Sequence, residues 1–300
     1  MSSRNPLYLI IGILAGVLLL FILASKNSPK EPLTTHAHQP IPAVEKKHEY
    51  AFAGEILPID NFDVAERLER ELLVNTFYHS STILAIKRAH RFFPVIEKIL
   101  KEEGMPEDLK YLAVAESGLQ PVTSAANARG VWQFMKDTGK QYGLEVNGEV
   151  DERYHLEKST RAACDYFKYL KDRFGSWTLA AAAYNMGGAN LSEALEAQRA
   201  QTYFDLNINE ETSRYIFRIV ALKEVLLNPE KFGFEIPKDQ LYKPLDRYKV
   251  VKVKGSVNNW GDFAAKHKTN YRTLKIYNPW LRDSKLSNKA KKTYEIKVPK

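Results

Sequence analysis

The chain has 300 residues, 44% of them hydrophobic and 11% aromatic, which suits one large folded domain plus a smaller one and excludes a disordered chain. Its net charge of +8 is unevenly placed: residues 241–300 hold 16 Lys and Arg against 4 Asp and Glu, a balance of +12, while the rest balances at −4. One cysteine excludes an intramolecular disulfide, and the seven histidines show no HExxH or comparable spacing, so neither a metal nor another cofactor is expected.

Leu7–Ala24, "LYLIIGILAGVLLLFILA", is an unbroken apolar run of 18 residues. At 1.5 Å per residue it reaches about 27 Å, close to the hydrocarbon thickness of a bilayer. Its exit, "FILASKNS", is a weak cleavage site, and no cysteine follows for lipid attachment. Residues 1–24 are therefore expected to be a retained N-terminal transmembrane helix. Arg4 before the run and Lys26 and Lys30 after it leave the orientation open. Residues 25–59, with Pro29, Pro32, Pro40, Pro42 and Pro58, read as a Pro-rich linker.

From Asn61 the texture is helical. "NFDVAERLERELLVNTF" and "STILAIKRAHRFFPVIEKILKEEG" carry apolar residues at three- and four-residue intervals, and Gly104 with Pro106 ends the second run. Further helices are expected at Ser159–Phe174, Trp177–Met186, Leu191–Gln198 and Glu211–Leu227. No alternating strand pattern of any length precedes residue 240, so residues 60–235 are predicted to form one mainly α domain. Cys164, in "TRAACDYFKYL", lies among small and aromatic residues at helical spacing and reads as a buried core residue. Pro237 and Pro244 flank a second linker, 236–246. Residues 247–300 read as βααβ, with "RYKVVKV" and "TYEIKVP" as strands and "WGDFAAKH" and "YRTLKIYN" as short helices. The basic tail points to an anionic surface such as nucleic acid, lipid headgroups or wall polymer.

The chemistry centres on "LAVAESGLQPVTSAANARGVWQFM", Leu112–Met135. Leu109, Leu112, Ala113 and Glu116 share one helical face, so the carboxylate leaves from the apolar side at a helix end. Loss of water and the negative end of the helix dipole both raise its pKa, which suits proton donation to a leaving oxygen. Taken alone, the same helix is more simply read as ending in a charge that reaches solvent. The small residues Ser117, Gly118, Ser124 to Ala128 and Gly130 then let a ligand approach the backbone, and Trp132, Gln133 and Phe134 add stacking faces and an amide. Ordinary core is the alternative reading for both Trp132 and Phe134, and Phe134 is expected to be mostly core. Together they suggest a carbohydrate cleft.

In these stretches the chain resembles the membrane-bound lytic murein transglycosylases of the soluble-lytic-transglycosylase superfamily, the D-type branch with C-terminal LysM repeats. The resemblance is carried by "AESGLQPVTSAANARGVWQFMKDTGKQYGL", "VDERYHLEKSTRAACDYFKYL", "FGSWTLAAAAYNMGGA" and "ETSRYIFRIVALKEVLLNPEKFGF", in family order. It implies a lysozyme-like helical catalytic domain, of the goose type, over residues 60–235. It also implies cleavage of the β-1,4 bond between N-acetylmuramic acid and N-acetylglucosamine. By position it implies that Glu116 is the catalytic acid/base, that Ser124 lies near the reacting sugar, and that Gln133 is a substrate-binding amide. Tyr184 and Asn185 match the cleft-lining "AYN" motif, and Glu211 matches the glutamate of "ET". Two positions depart from the family: Asn127 stands where glycine is usual, and Gly188 stands where many relatives carry a charged residue or proline. Asparagine tolerates a left-handed backbone, so the turn is expected to survive.

The tail, 247–300, resembles a degenerate LysM module, with "KGSVNNW" and "PWLRDSKLSNKAKK" as departures. The implied partners are peptidoglycan glycan strands and, through the N-terminal helix, the membrane. Wall chemistry would set the orientation as a single-pass protein of the cytoplasmic membrane, with its bulk in the periplasm or cell exterior. One carboxylate suffices if the sugar's own C6 hydroxyl replaces water and closes a 1,6-anhydro ring. A lysozyme-type hydrolase would require a second positioned acid. Two rival classes are a non-catalytic membrane-tethered wall-binding protein and a nucleic-acid-binding membrane protein. The Glu116 constellation argues against the first, and the lack of a helix-turn-helix or aromatic nucleic-acid motif against the second.

Overall fold

The computed structural model describes residues 43–45 and 47–300. The expected membrane anchor, Leu7–Ala24, lies outside the described residues. Among those described, no helix is long and apolar enough to cross a membrane.

The protein is mainly helical, as expected. The first elements are strands β1 (Ala51–Phe52) and β2 (Glu55–Ile56), paired antiparallel. They fall inside the stretch read as a linker up to residue 59, and no alternating pattern announced them. Two residues per strand leave no period to read. What makes the hairpin is its turn, where Ala53 and Gly54 both take positive φ, and burial of Tyr50, Phe52 and Leu57 in the main core. The hairpin also serves as a clasp. The Glu55 carboxylate accepts from Thr178 N–H at 2.9 Å and from the Thr178 hydroxyl at 3.0 Å, capping a helix start. Asp108 accepts from Ala53 N–H at 2.8 Å and from Lys223 at 2.7 Å.

The helical domain then runs α1 (Phe62–Phe77), α2 (His79–Glu102), α3 (Leu109–Ser117), α4 (Lys136–Gln141), α5 (Leu156–Phe174), α6 (Trp177–Met186), α7 (Gly188–Gln198) and α8 (Glu210–Leu227). Each long helix was legible from its period, and α2 continues through Pro94. Asn61, Ser176 and Asn209 supply the N-caps of α1, α6 and α8. Helix α8 is the centre of the domain. Ile216, Phe217, Ile219, Val220, Ala221 and Val225 are fully buried on more than one face, because α1, α3 and α6 surround it. Ala180–Ala183 of α6, all fully buried, let α5 and α8 approach closely. Cys164 is buried in this core, and burial pushes its thiol up to about 12, so it is inert.

Strands β3 (Tyr248–Val253) and β4 (Tyr294–Pro299) pair antiparallel, with Tyr248 opposite Pro299 and Val253 opposite Tyr294. Between them stand α9 (Trp260–Lys266) and α10 (Tyr271–Tyr277), giving the expected βααβ order. The stretch read as a linker over 236–246 is laid along α2 rather than free. Arg91 donates to Lys243 O at 3.0 Å and its guanidinium lies 5.1 Å from the Tyr242 ring centroid. Residues 44–300 thus form one compact unit.

Candidate active site

Glu116 sits in the last turn of α3, whose C-cap Gly118 takes φ +58 and so turns the chain sharply into the loop 119–134. The carboxylate is half-buried, and its oxygen accepts a hydrogen bond from the Tyr215 hydroxyl of α8. Burial pushes the Glu116 carboxyl up to about 7. The Tyr215 hydroxyl and the charge of Arg218 pull the other way, and Glu211 adds a smaller upward push. A carboxyl poised there can hold a proton near neutrality and still release it.

Tyr184 stands on α6. Its hydroxyl donates to Trp132 O at 2.6 Å, and its ring stacks on Phe167 at 4.6 Å between centroids. Burial, with the nearby Glu116 charge, raises its pKa well above the ordinary tyrosine value, so the hydroxyl stays protonated. Tyr215 is raised likewise, first by burial and then by Glu116. Both phenols therefore remain donors. At the rim, Asn185 Nδ2 donates to Glu211 at 3.1 Å, and the Thr212 hydroxyl donates to Asn185 Oδ1 at 2.7 Å. Asn185 is thereby held in one orientation by the first turn of α8.

The loop supplies the other expected residues. Ser124 Oγ accepts from Ala128 N–H at 3.1 Å, which leaves its own proton to donate. Gln133 takes φ +50, and its amide nitrogen donates to Gly130 O at 2.6 Å and Val122 O at 3.3 Å. Its nitrogen thus braces the loop, a role its sequence position did not reveal. Asn127 takes φ +63, the left-handed conformation for which glycine is usual and which asparagine tolerates. Trp132 and Phe134 are both buried core residues, the first donating from its indole to Thr160 Oγ1 at 2.9 Å. Trp132 is therefore not a free stacking face. Gly188 opens α7, where an added Cβ would lie 3.1 Å from Arg173.

The structure thus gathers Glu116, Tyr184, Asn185 and Glu211 onto the facing ends of α3, α6 and α8, while Ser124 and Gln133 stay on the intervening loop. Sequence reasoning did not single out Tyr215 and Arg218. Their signal was present in "ETSRYIFR", where Tyr215 stands four residues after Glu211 and Arg218 seven after it, on one helical face.

Residues 93–207 match the sequence model of the Transglycosylase SLT domain, and residues 249–300 match that of the Soluble lytic transglycosylase C-terminal LysM-like domain. The chain carries both domains. Among curated proteins it is similar to the membrane-bound lytic murein transglycosylase D of Escherichia coli strain K12 and to the protein of the same name in Escherichia coli O6:H1. Each is 30% identical over 224 residues, which cover 69% of this chain and 49% of the relative. The chain thus spans about half the length of these relatives. The SLT match covers Glu116, Ser124, Gln133, Tyr184 and Asn185, whereas Glu211 and Tyr215 lie beyond its end.

Proposed function

We propose that this protein is a peptidoglycan lytic transglycosylase that cleaves the β-1,4 bond between N-acetylmuramic acid and N-acetylglucosamine and leaves 1,6-anhydro-N-acetylmuramic acid ends. The observation that carries this reading is the Glu116 carboxyl, poised near neutral pH by burial and held by the Tyr215 hydroxyl. The SLT match and the names of the relatives support the substrate class.

In the proposed reaction, protonated Glu116 gives its proton to the glycosidic oxygen as the bond from the muramyl C1 breaks. The oxocarbenium-like centre at C1 is stabilised by the substrate's own acetamido group. Ionised Glu116 then takes the proton of the C6 hydroxyl, and O6 bonds to C1. The carboxyl ends protonated, no water is consumed, and no metal or cofactor is required. Tyr215 stabilises the ionised form between the two steps. Ser124, Tyr184, Asn185 and Glu211 would line the sugar subsites. We further propose that the domain works on wall glycan in the periplasm or cell exterior, tethered through Leu7–Ala24.

The test is mass analysis of the products from purified sacculi. Anhydro ends that disappear in Glu116→Gln support the reading. Reducing-end muramic acid as the main primary product would make the protein a lysozyme-type hydrolase. Binding without any cleavage would make it a wall-binding protein.

A further inference from the structure

The basic tail is joined to the catalytic domain by a shared core. Val150 and Tyr154, which precede α5, are buried together with Trp260, Trp280, Leu281 and Ile296 of the tail. The backbones also pair. Asp151 N–H donates to Trp280 O at 2.9 Å and Arg282 N–H donates to Glu149 O at 2.8 Å, flanking an antiparallel bridge between Val150 and Leu281.

The same short segment grips the active-site loop from its other side. Asp151 and Arg153 are both buried and paired at 2.8 Å, and Asp151 also pairs with Arg129 of the loop at 3.2 Å. Arg153 Nη1 donates to Asn127 O at 3.2 Å and to Phe134 O at 3.1 Å. A Cβ at Gly130 would stand 1.9 Å from Arg153 O, so loop and segment are in direct backbone contact there. A second link runs through Tyr154. Its hydroxyl and that of Thr123 are 2.7 Å apart, while the Arg282 guanidinium lies 4.2 Å from its ring centroid. The loop in turn touches the cleft directly, because the Ser117 hydroxyl donates to Val131 O at 2.8 Å and the Tyr184 hydroxyl donates to Trp132 O.

We propose that the LysM-like tail is a positioning element of the catalytic site: Trp280–Arg282 set the segment 149–154, and that segment sets the loop that carries Ser124 and Gln133. The proposal rests on the reading of this cleft as a glycan-cleaving site. It goes beyond wall attachment, since the tail would act on turnover of substrates it never touches. The physical reason is that the loop's own braces, Gln133 and the buried Trp132 and Phe134, hold only part of it. The stretch from Thr123 to Arg129 is held against the segment by the carbonyl, hydroxyl and ion-pair contacts of Arg129, Arg153 and Tyr154.

The experiment uses the full chain with a soluble, peptide-free glycan fragment. Arg282→Ala should lower kcat by about threefold to tenfold with KM changed less than about twofold, the pattern of a loosened reactive geometry. Arg282→Lys, which keeps a cation over Tyr154, should recover most of the loss. Trp280→Ala should act in the same direction and more strongly. Amide exchange at Arg129 and Phe134, which bond each other across the loop, should speed up in both variants, while Ile219 to Ala221 in α8 stay protected. The proposal fails if Trp280→Ala speeds exchange at Asp151 and Arg282 yet leaves the loop amides and kcat unchanged. It fails equally if kcat drops with no change in loop exchange. If the loop amides respond but the wild-type protein cleaves no glycan, the reading of the cleft is wrong and the mechanical link stands.

Discussion

Glu116 at the end of α3 and Glu157 on the seam with the tail are both half-buried carboxyls, yet the first is pushed up to about 7 and the second is held down at about 2. Burial pushes both upward, and it is the largest single influence on each. The difference lies in what stands opposite. Glu157 faces His155 at 3.3 Å and the ammonium of Lys297, and these together outweigh burial. Glu116 faces a neutral phenol and only the more distant charge of Arg218, and these do not. One carboxyl is therefore built to change protonation, the other to stay ionised and join two parts of the chain.

The comparison is broken most severely by Glu116→Gln, which keeps size and hydrogen bonding but cannot exchange the proton. Activity on sacculi should fall at least about a hundredfold with the fold retained. Near-normal turnover would remove Glu116 from the chemistry. The same substitution should show in stability. A carboxyl whose folded pKa is raised favours the folded state least once it must ionise. The wild type should therefore lose stability as pH rises from the ordinary carboxylate range through about 7. Glu116→Gln should then become more stable than wild type over that window, by on the order of 2 kcal/mol above pH 7, read from thermal unfolding at several pH values. A pH-independent difference would contradict the raised pKa.

Tyr215→Phe sharpens the contrast in the other direction. Removing the hydroxyl takes away a bond that favours the ionised carboxylate, so the alkaline limb of kcat/KM should move upward by about one pH unit. A downward move would show that Tyr215 favours the protonated form. The smallest effect is expected at the seam. Lys297→Ala should cost at most about 1 kcal/mol at neutral pH, because the pair is partly exposed. The stabilisation from Glu157 is present above its ordinary pKa and fades as pH falls toward about 2, so the penalty should shrink over that range. A penalty unchanged by acid would assign the loss to packing of the lysine stem.

Much of this was legible in the one-dimensional pattern. The three- and four-residue spacing of apolar side chains placed the long helices, since a helix that must bury one face repeats that spacing whatever packs against it. The βααβ tail followed from its alternating valines and its two short helical runs. Glu116 stood out because a carboxylate interrupted an apolar face. The hairpin at Ala51–Ile56 was not legible, because two residues per strand carry no period and its stability comes from Phe52 and Leu57 entering a distant core. Trp132 stayed open between a stacking face and core, because residue type does not say which way a ring points, and the fold buries it.

Residue types and spacing by themselves determined the helical domain and the βααβ order of the basic tail, and they marked Glu116 as a carboxylate on an apolar face. Only the tertiary structure decided that Tyr215 holds that acid, since the two residues lie 99 positions apart. It also decided that Gln133 braces its own loop and that the basic tail shares a core with residues of the helical domain. The reason is physical: a local period reports which face of an element is buried, whereas a pKa or a loop geometry depends on which distant groups the fold brings to that face.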